Sequence, residues 1–113
     1  MHEMSLAEGI LDIALDYAKQ NEAQKISEVG LLIGEMSGVE IESLTFSWEM
    51  LTKNTIAEAA KLVIKRVPLV GKCSKCGKEF AIKNYDFWCP ECENGVLKTL
   101  TGREMKVEYL EVD

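Results

Sequence analysis

All four cysteines of this chain fall into two Cys-x-x-Cys pairs, Cys73-Ser74-Lys75-Cys76 and Cys89-Pro90-Glu91-Cys92, with twelve residues between them. Each pair lets one tight turn present two thiolates, and the spacer is long enough for the second turn to fold back on the first. That completes a tetrahedral shell of four sulfurs, the arrangement zinc accepts most readily. Iron suits the same cage, since geometry alone does not separate the two metals. Two disulfides would need an exported chain, and Met1-His2-Glu3-Met4 leads into an amphipathic run with acids in it, unlike a signal peptide. A thioredoxin-like pair would open a helix after a strand. Here Gly77 follows the first pair and Pro90 lies inside the second, which suits two knuckles.

The rest of the chain reads as an α+β body around this module. Leu6, Ile10, Ile13, Ala14 and Tyr17 recur at three- and four-residue steps, which predicts a helix ending near Gln20-Asn21 with those side chains on one apolar stripe. Ser5-Leu6-Ala7-Glu8 has the capping-box form and predicts its start. From Lys25 to Gly34 the period drops to two, with Val29, Leu31 and Ile33 on one face and Ile26 and Leu32 on the other, which predicts a strand. Ser37-Gly38-Val39-Glu40 offers a second capping box. Ile41, Leu44, Trp48 and Leu51 then predict an amphipathic helix running to about Thr52 or Lys53, with Trp48 in the core. Leu62 to Val67 predicts a second strand, stopped by Pro68, and Glu104 to Val112 alternates as a third. A lone terminal strand cannot satisfy its own edges, so it is expected to return to the sheet of the first 68 residues. The expectation is a small three-stranded sheet with two helices, residues 1–68 plus 100–113, carrying an inserted ribbon over residues 69–99.

Charge limits what such a protein binds. With 19 acids against 13 bases the net charge is -6, which disfavours nucleic acid, the usual partner of a zinc ribbon. Residues 69–88 carry Lys72, Lys75, Lys78 and Lys83 against Glu79 and Asp86, so a ribbon acting on nucleic acid or a transcription complex is the alternative reading. No run approaches a membrane span, and a soluble cytoplasmic protein is expected. There is no phosphate loop and no nucleophile elbow, the four thiols are committed to metal, and His2 is the single histidine, so an enzyme is not expected. Glu8, Asp12 and Asp16 form a candidate partner patch on the first helix, although solvated helix faces ordinarily look like this.

His2 is at a position where a side chain is ordinarily tolerant of change. Its chemistry is particular all the same. A histidine is too large for the aminopeptidases that remove an initiator Met, so Met1 is expected to stay. The Met1 amine, the His2 amide and the His2 imidazole are then three nitrogens on one short segment, with a fourth donor in the Glu3 amide or carboxylate. Once the amides deprotonate, such donors lie in a plane, which Ni2+ and Cu2+ favour and Zn2+ does not.

Several stretches taken together carry a resemblance. Met1-His2-Glu3-x-Ser5-Leu6, Gly34-Glu35-Met36-Ser37-Gly38-Val39-Glu40, the Cys-x-x-Cys-Gly and Cys-Pro-x-Cys knuckles, and Gly102-Arg103-Glu104 before a strand ending Leu110-Glu111-Val112-Asp113 closely resemble the HypA/HybF nickel metallochaperones of [NiFe]-hydrogenase maturation. The resemblance runs over essentially the whole chain. It implies transferable Ni2+ at Met1, His2 and Glu3, and structural Zn2+ at Cys73, Cys76, Cys89 and Cys92. It also implies a partner GTPase, HypB, and delivery to the hydrogenase large-subunit precursor, with urease served by some members. Glu40 stands where the family often has an acid near the nickel end; a helix-start acid favoured by the dipole is the plainer account of it.

Overall fold

The structure, a computed structural model, describes residues 2–113. The elements in chain order are α1 (Glu3–Gln20), β1 (Ile26–Gly34), α2 (Ile41–Thr52), β2 (Lys61–Val67), β3 (Val70–Cys73), β4 (Glu79–Ala81), β5 (Leu97–Thr101) and β6 (Met105–Val112). They make an α+β chain with two three-stranded sheets, ordered β2-β1-β6 and β4-β3-β5. Two compact units result: Met1–Leu32, Gly38–Lys65 and Lys106–Asp113 form one, and Ile33–Ser37 with Arg66–Met105 the other.

In the first unit α1 packs against α2. The buried face of α1 is Ala7, Ile10, Leu11, Ala14 and Ala18, which corrects the stripe expected from the sequence. Ile13 and Tyr17 are 53% and 42% exposed. Alanine buries little area, but it lets a helix lie close to its neighbour, so close approach sets the face here and the largest side chains do not. The start of α1 is also corrected. The helix begins at Glu3 with His2 as its N-cap residue, so Ser5 and Glu8 lie within the helix and form no box.

The start of α2 is the second correction. Ser37 is not its cap; Glu40 is, with its own carboxylate accepting from the backbone amides of Glu42 (3.2 Å) and Ser43 (2.7 Å). Those amides, Ser43 first, hold the Glu40 carboxyl below its ordinary 4.5. A depressed folded pKa contributes stability that is complete above the ordinary value and is lost as pH falls through the lower folded one. Glu40→Ala is therefore expected to lower the melting temperature by about 5 °C at neutral pH, a typical cap effect for a small domain. The gap from the native protein should narrow as pH falls below the ordinary carboxyl value and through the lower folded one, which paired thermal melts would read.

Strand β6 lies beside β1 in antiparallel sense, since Gln24 donates to the Asp113 carbonyl (2.8 Å), Asp113 donates to that of Lys25 (2.8 Å), and the Ser27 hydroxyl donates to that of Glu111 (3.0 Å). Tyr109 donates its hydroxyl to the Glu28 carboxylate, which pushes the phenol up to about 12. Its ring covers Gly30 so closely that a Cβ there would sit 2.0 Å from a ring carbon, and only glycine leaves that space. Central β1 is buried at Ile26, Val29, Leu31 and Ile33. On α2, Leu44 and Trp48 are buried as expected, Trp48 being 2% exposed.

The second unit is built on β3. Val70, Gly71 and Lys72 pair antiparallel with Ala81, Phe80 and Glu79 on one side, and β5 pairs on the other with a register shift between Val70 and Gly71. Its buried cluster is small: Leu69, Cys73, Ile82, Cys89 and Leu97, with Met36, Phe80, Phe87 and Cys92 partly buried against it. Two of the five buried members are the first cysteines of the two knuckles. Glu35 donates to the Val67 carbonyl (2.9 Å), Met36 to that of Gly102 (2.7 Å), and the Thr101 hydroxyl to that of Pro68 (2.7 Å). Gly34 meets Gly102 so tightly that a Cβ on Gly34 would lie 2.1 Å from the Gly102 carbonyl.

Candidate metal centre

Each knuckle is a tight turn off a strand or bridge. Cys73 ends β3, and Gly77, at φ +74°, lets the chain reverse so that its amide reaches the Cys73 carbonyl at 3.0 Å. In the second knuckle Cys89 follows the Trp88–Val96 bridge, and Pro90 sets the turn. The backbone then does the same thing twice. Lys75 and Cys76 direct their amides at the Cys73 sulfur (3.3 and 3.4 Å), and Glu91 and Cys92 direct theirs at the Cys89 sulfur (3.4 and 3.3 Å). Amide dipoles aimed at sulfur favour thiolate over thiol.

The four ligand sulfurs all lie within 4.8 Å of one another, and those of Cys76 and Cys89 are 3.9 Å apart. A tetrahedral ion with metal–sulfur bonds of about 2.3 Å needs sulfurs ~3.8 Å apart, so the Cys76–Cys89 pair already stands at that spacing and the other sulfurs need close by no more than about an ångström. The electrostatics point the same way. The Cys73 thiol is drawn down to about 6, chiefly by the Cys76 amide, while Cys92 is pushed up to about 12 by the sulfurs around it, Cys76 first. Four sulfurs this close cannot all ionise unaided, and a dication is what makes the full tetrathiolate affordable. Lys78 binds Glu91 at 2.6 Å and Lys75 donates to the Glu93 carbonyl at 3.1 Å, so two exposed lysines tie the knuckles together. Exposed pairs of this kind contribute little stability.

Gly95 was not identifiable as part of this centre from spacing. A Cβ there would lie 2.8 Å from the Cys92 Cβ, 2.9 Å from the Cys73 sulfur and 3.0 Å from the Cys89 Cβ. Gly95→Ala is expected to weaken zinc binding by about tenfold or more through displaced sulfurs, as displaced supports of a metal shell generally do. Competition with a chromophoric chelator would measure it.

At the other end of the chain, His2 and Glu3 sit together at the start of α1, with the His2 carbonyl accepting the first intrahelical bond from Leu6 (3.1 Å). Met1, the remaining expected nickel ligand, lies outside the described residues. The Glu3 carboxylate accepts from the Glu40 backbone amide at 3.2 Å, so it anchors the beginning of α1 to that of α2. Glu40 in turn uses both its carboxylate oxygens on its own helix. Among the described residues, His2, Glu3 and Glu40 do not converge as a ligand cluster; the four cysteines do.

An α+β unit joined to a closed four-cysteine ribbon, with the chain's one histidine at the head of its first helix, defines a metal-handling protein. The family model described as "Hydrogenase/urease nickel incorporation, metallochaperone, hypA" matches residues 1–112, and the chain belongs to that family. Its relatives include the hydrogenase maturation factor HypA of Caldanaerobacter subterraneus subsp. tengcongensis, 40% identical, and that of Geobacter metallireducens, 38% identical, each over the full length of both chains. The solution structure of the Ni metallochaperone HypA from Helicobacter pylori matches with a TM-score of 0.71 at 25% identity, covering 99% of this chain and 97% of that one. A second HypA solution structure matches with a TM-score of 0.76 at 26% identity, covering 99% and 96%.

Proposed function

We propose that this chain is a nickel carrier for hydrogenase maturation whose cargo site is built from the Met1 amine, the His2 amide and imidazole, and Glu3. Family membership over residues 1–112 supports the carrier role, and one structural observation supports the site. His2 and Glu3 open α1 as its N-cap and first residue, positions whose amides have no intrahelical partner. Deprotonating them breaks no helix bond, and the positive end of the helix dipole favours the resulting negative nitrogens. Two such nitrogens neutralise a bound Ni2+, so the cargo costs the helix start little. Since Glu3 spends its carboxylate on Glu40, its amide is the better donor and its side chain fixes where the segment begins.

In this reading residues 1–68 with 100–113 are the nickel-handling domain. Residues 69–99 are a ribbon in which Cys73, Cys76, Cys89 and Cys92 hold a structural zinc. The closed shell leaves no open position for cargo, which separates the two metals by role. A HypB-type GTPase and a hydrogenase large-subunit precursor are the expected partners, with urease maturation a further destination, all in the cytoplasm. No helix among the described residues is long and apolar enough to cross a membrane. The test is a nickel titration of the untagged, zinc-loaded protein followed by calorimetry and visible absorption. One equivalent bound with the d–d band of a planar nitrogen site is expected, and absence of stoichiometric uptake would leave a zinc-ribbon adaptor instead.

A further inference from the structure

The outward face of α2 breaks the rule that a surface helix is polar where it meets water. Phe46 and Met50, one turn apart, are 62% and 49% exposed, and Met4 of α1, 38% exposed, joins Phe46 along a shallow groove that Ser43, Ser47, Glu40 and Glu42 also line. Contiguous exposed apolar side chains with a polar rim are the way a contact surface is built. Phenylalanine supplies the large rigid contact and methionine adapts to what packs on it.

Charge on the same two helices says what that surface takes. From residue 2 to 18 the chain carries Glu3, Glu8, Asp12 and Asp16, and from 40 to 52 it carries Glu40, Glu42 and Glu49, with no lysine or arginine in either stretch. The whole first unit has 13 acids against 6 bases, a net charge of -7, whereas the second unit has 6 against 7. Pairing this face with itself would bring two acidic rims together. An anionic membrane would be repelled for the same reason.

We propose that the Met4–Phe46–Met50 face is a docking site for a basic amphipathic helix of a protein that exchanges nickel with this one. Such a helix lays apolar residues at i and i+4 over Phe46 and Met50 while its lysines or arginines meet Glu42 and Glu49. The nickel clause rests on the carrier reading above; the docking face itself does not. Its position is apt for exchange, because the groove contains Glu40, whose amide holds Glu3 at the head of α1.

The probe is a fluorescein-labelled 18-residue peptide of leucine and lysine in a heptad pattern, together with a scrambled peptide of the same composition. Anisotropy is expected to show the heptad peptide binding the zinc-loaded protein at least tenfold more tightly than the scrambled one. F46S/M50S should lose at least tenfold in affinity, and E42Q/E49Q should lose affinity and flatten its salt dependence. Amide shifts on titration should concentrate at Met4, Ser43, Phe46, Ser47 and Met50. Equal binding of both peptides, native affinity in F46S/M50S, or shifts gathered on the Ile13–Tyr17 flank or on the ribbon would overturn the proposal. So would a native dimer that F46S/M50S dissolves, since the face would then belong to a second copy. Should the double variant fail to fold, Phe46→Gln alone carries the same reading. Nickel titrations run alongside keep the two claims apart: docking without nickel uptake removes only the carrier role, and nickel uptake with indifferent docking removes only this face.

Discussion

One residue added ahead of Met1 is expected to shift the visible absorption of bound nickel, because the new amine, two backbone amides and the His2 imidazole then make a different planar set of four nitrogens. The extension converts the Met1 amine into an amide and moves a free amine one residue away from His2. The chelate rings that hold the amine, the His2 amide and the imidazole around one ion no longer close in the same way. His2→Ala should weaken nickel binding by at least about a hundredfold, ~2.7 kcal/mol, since it removes the chain's only imidazole and leaves the amine in place. Calorimetry on the native, extended and His2→Ala forms reads the affinity, and visible absorption reads the donor set. Zinc content should be the same in all three. Unchanged nickel affinity and spectrum in the extended form would sink the amine-based site, whatever the family does. Because these donors must shed protons to bind, affinity should also fall as the solution is acidified.

Stripping the ribbon of metal is expected to unfold it and leave the first unit folded. The buried cluster of the second unit consists of Leu69, Ile82 and Leu97 besides Cys73 and Cys89, too little apolar surface to order a segment of this length by itself. Structural zinc in small modules supplies about 10–16 kcal/mol of apparent binding energy, and where the core is this slight that energy is the folding energy. Excess chelator, or Cys89→Ala, should therefore collapse the amide dispersion of Arg66–Met105. The helical far-ultraviolet signal should persist, because α1 and α2 both belong to the first unit. Loss of helix in parallel with loss of metal would show that the two units are one cooperative structure, and a well-dispersed ribbon spectrum without metal would show that the cysteines are dispensable to its fold.

What the sequence made legible, and what it hid, follows from which forces write themselves into residue order. Strands β1 and β6 show as alternation, and β2 as a run of Leu, Val and Ile stopped by Pro68. The thiolate cage shows because ligand spacing is a covalent fact, and the whole-chain family pattern shows because its motifs keep their order. The buried face of α1 was hidden. Ala7, Ala14 and Ala18 weigh little on any hydrophobic scale beside Ile13 and Tyr17, yet close helix packing selects the alanines. The helix starts were hidden too, since Ser5-Leu6-Ala7-Glu8 has the right letters one turn too late and Glu40 caps α2 with a carboxylate where a hydroxyl was expected. Short β3, β4 and β5 are held by their pairing across the knuckles, and no periodicity appears in three to five residues. Gly95 is legible only as volume, a property of three neighbours brought together by folding.

The two knuckles are alike in their hydrogen bonds but their cysteines differ in exposure. Cys73 and Cys89, each receiving two amides, are buried; Cys76 is exposed and Cys92 intermediate. The cage therefore has an inside and an outside, and its dismantling has a direction. An oxidant or competing ligand meets the Cys76 sulfur first and finds the Cys73 and Cys89 sulfurs last, still held by their turns. A ribbon that has lost one ligand keeps the two sulfurs its backbone is shaped around, so the ion can stay seated on the remaining ligands while the exposed one returns.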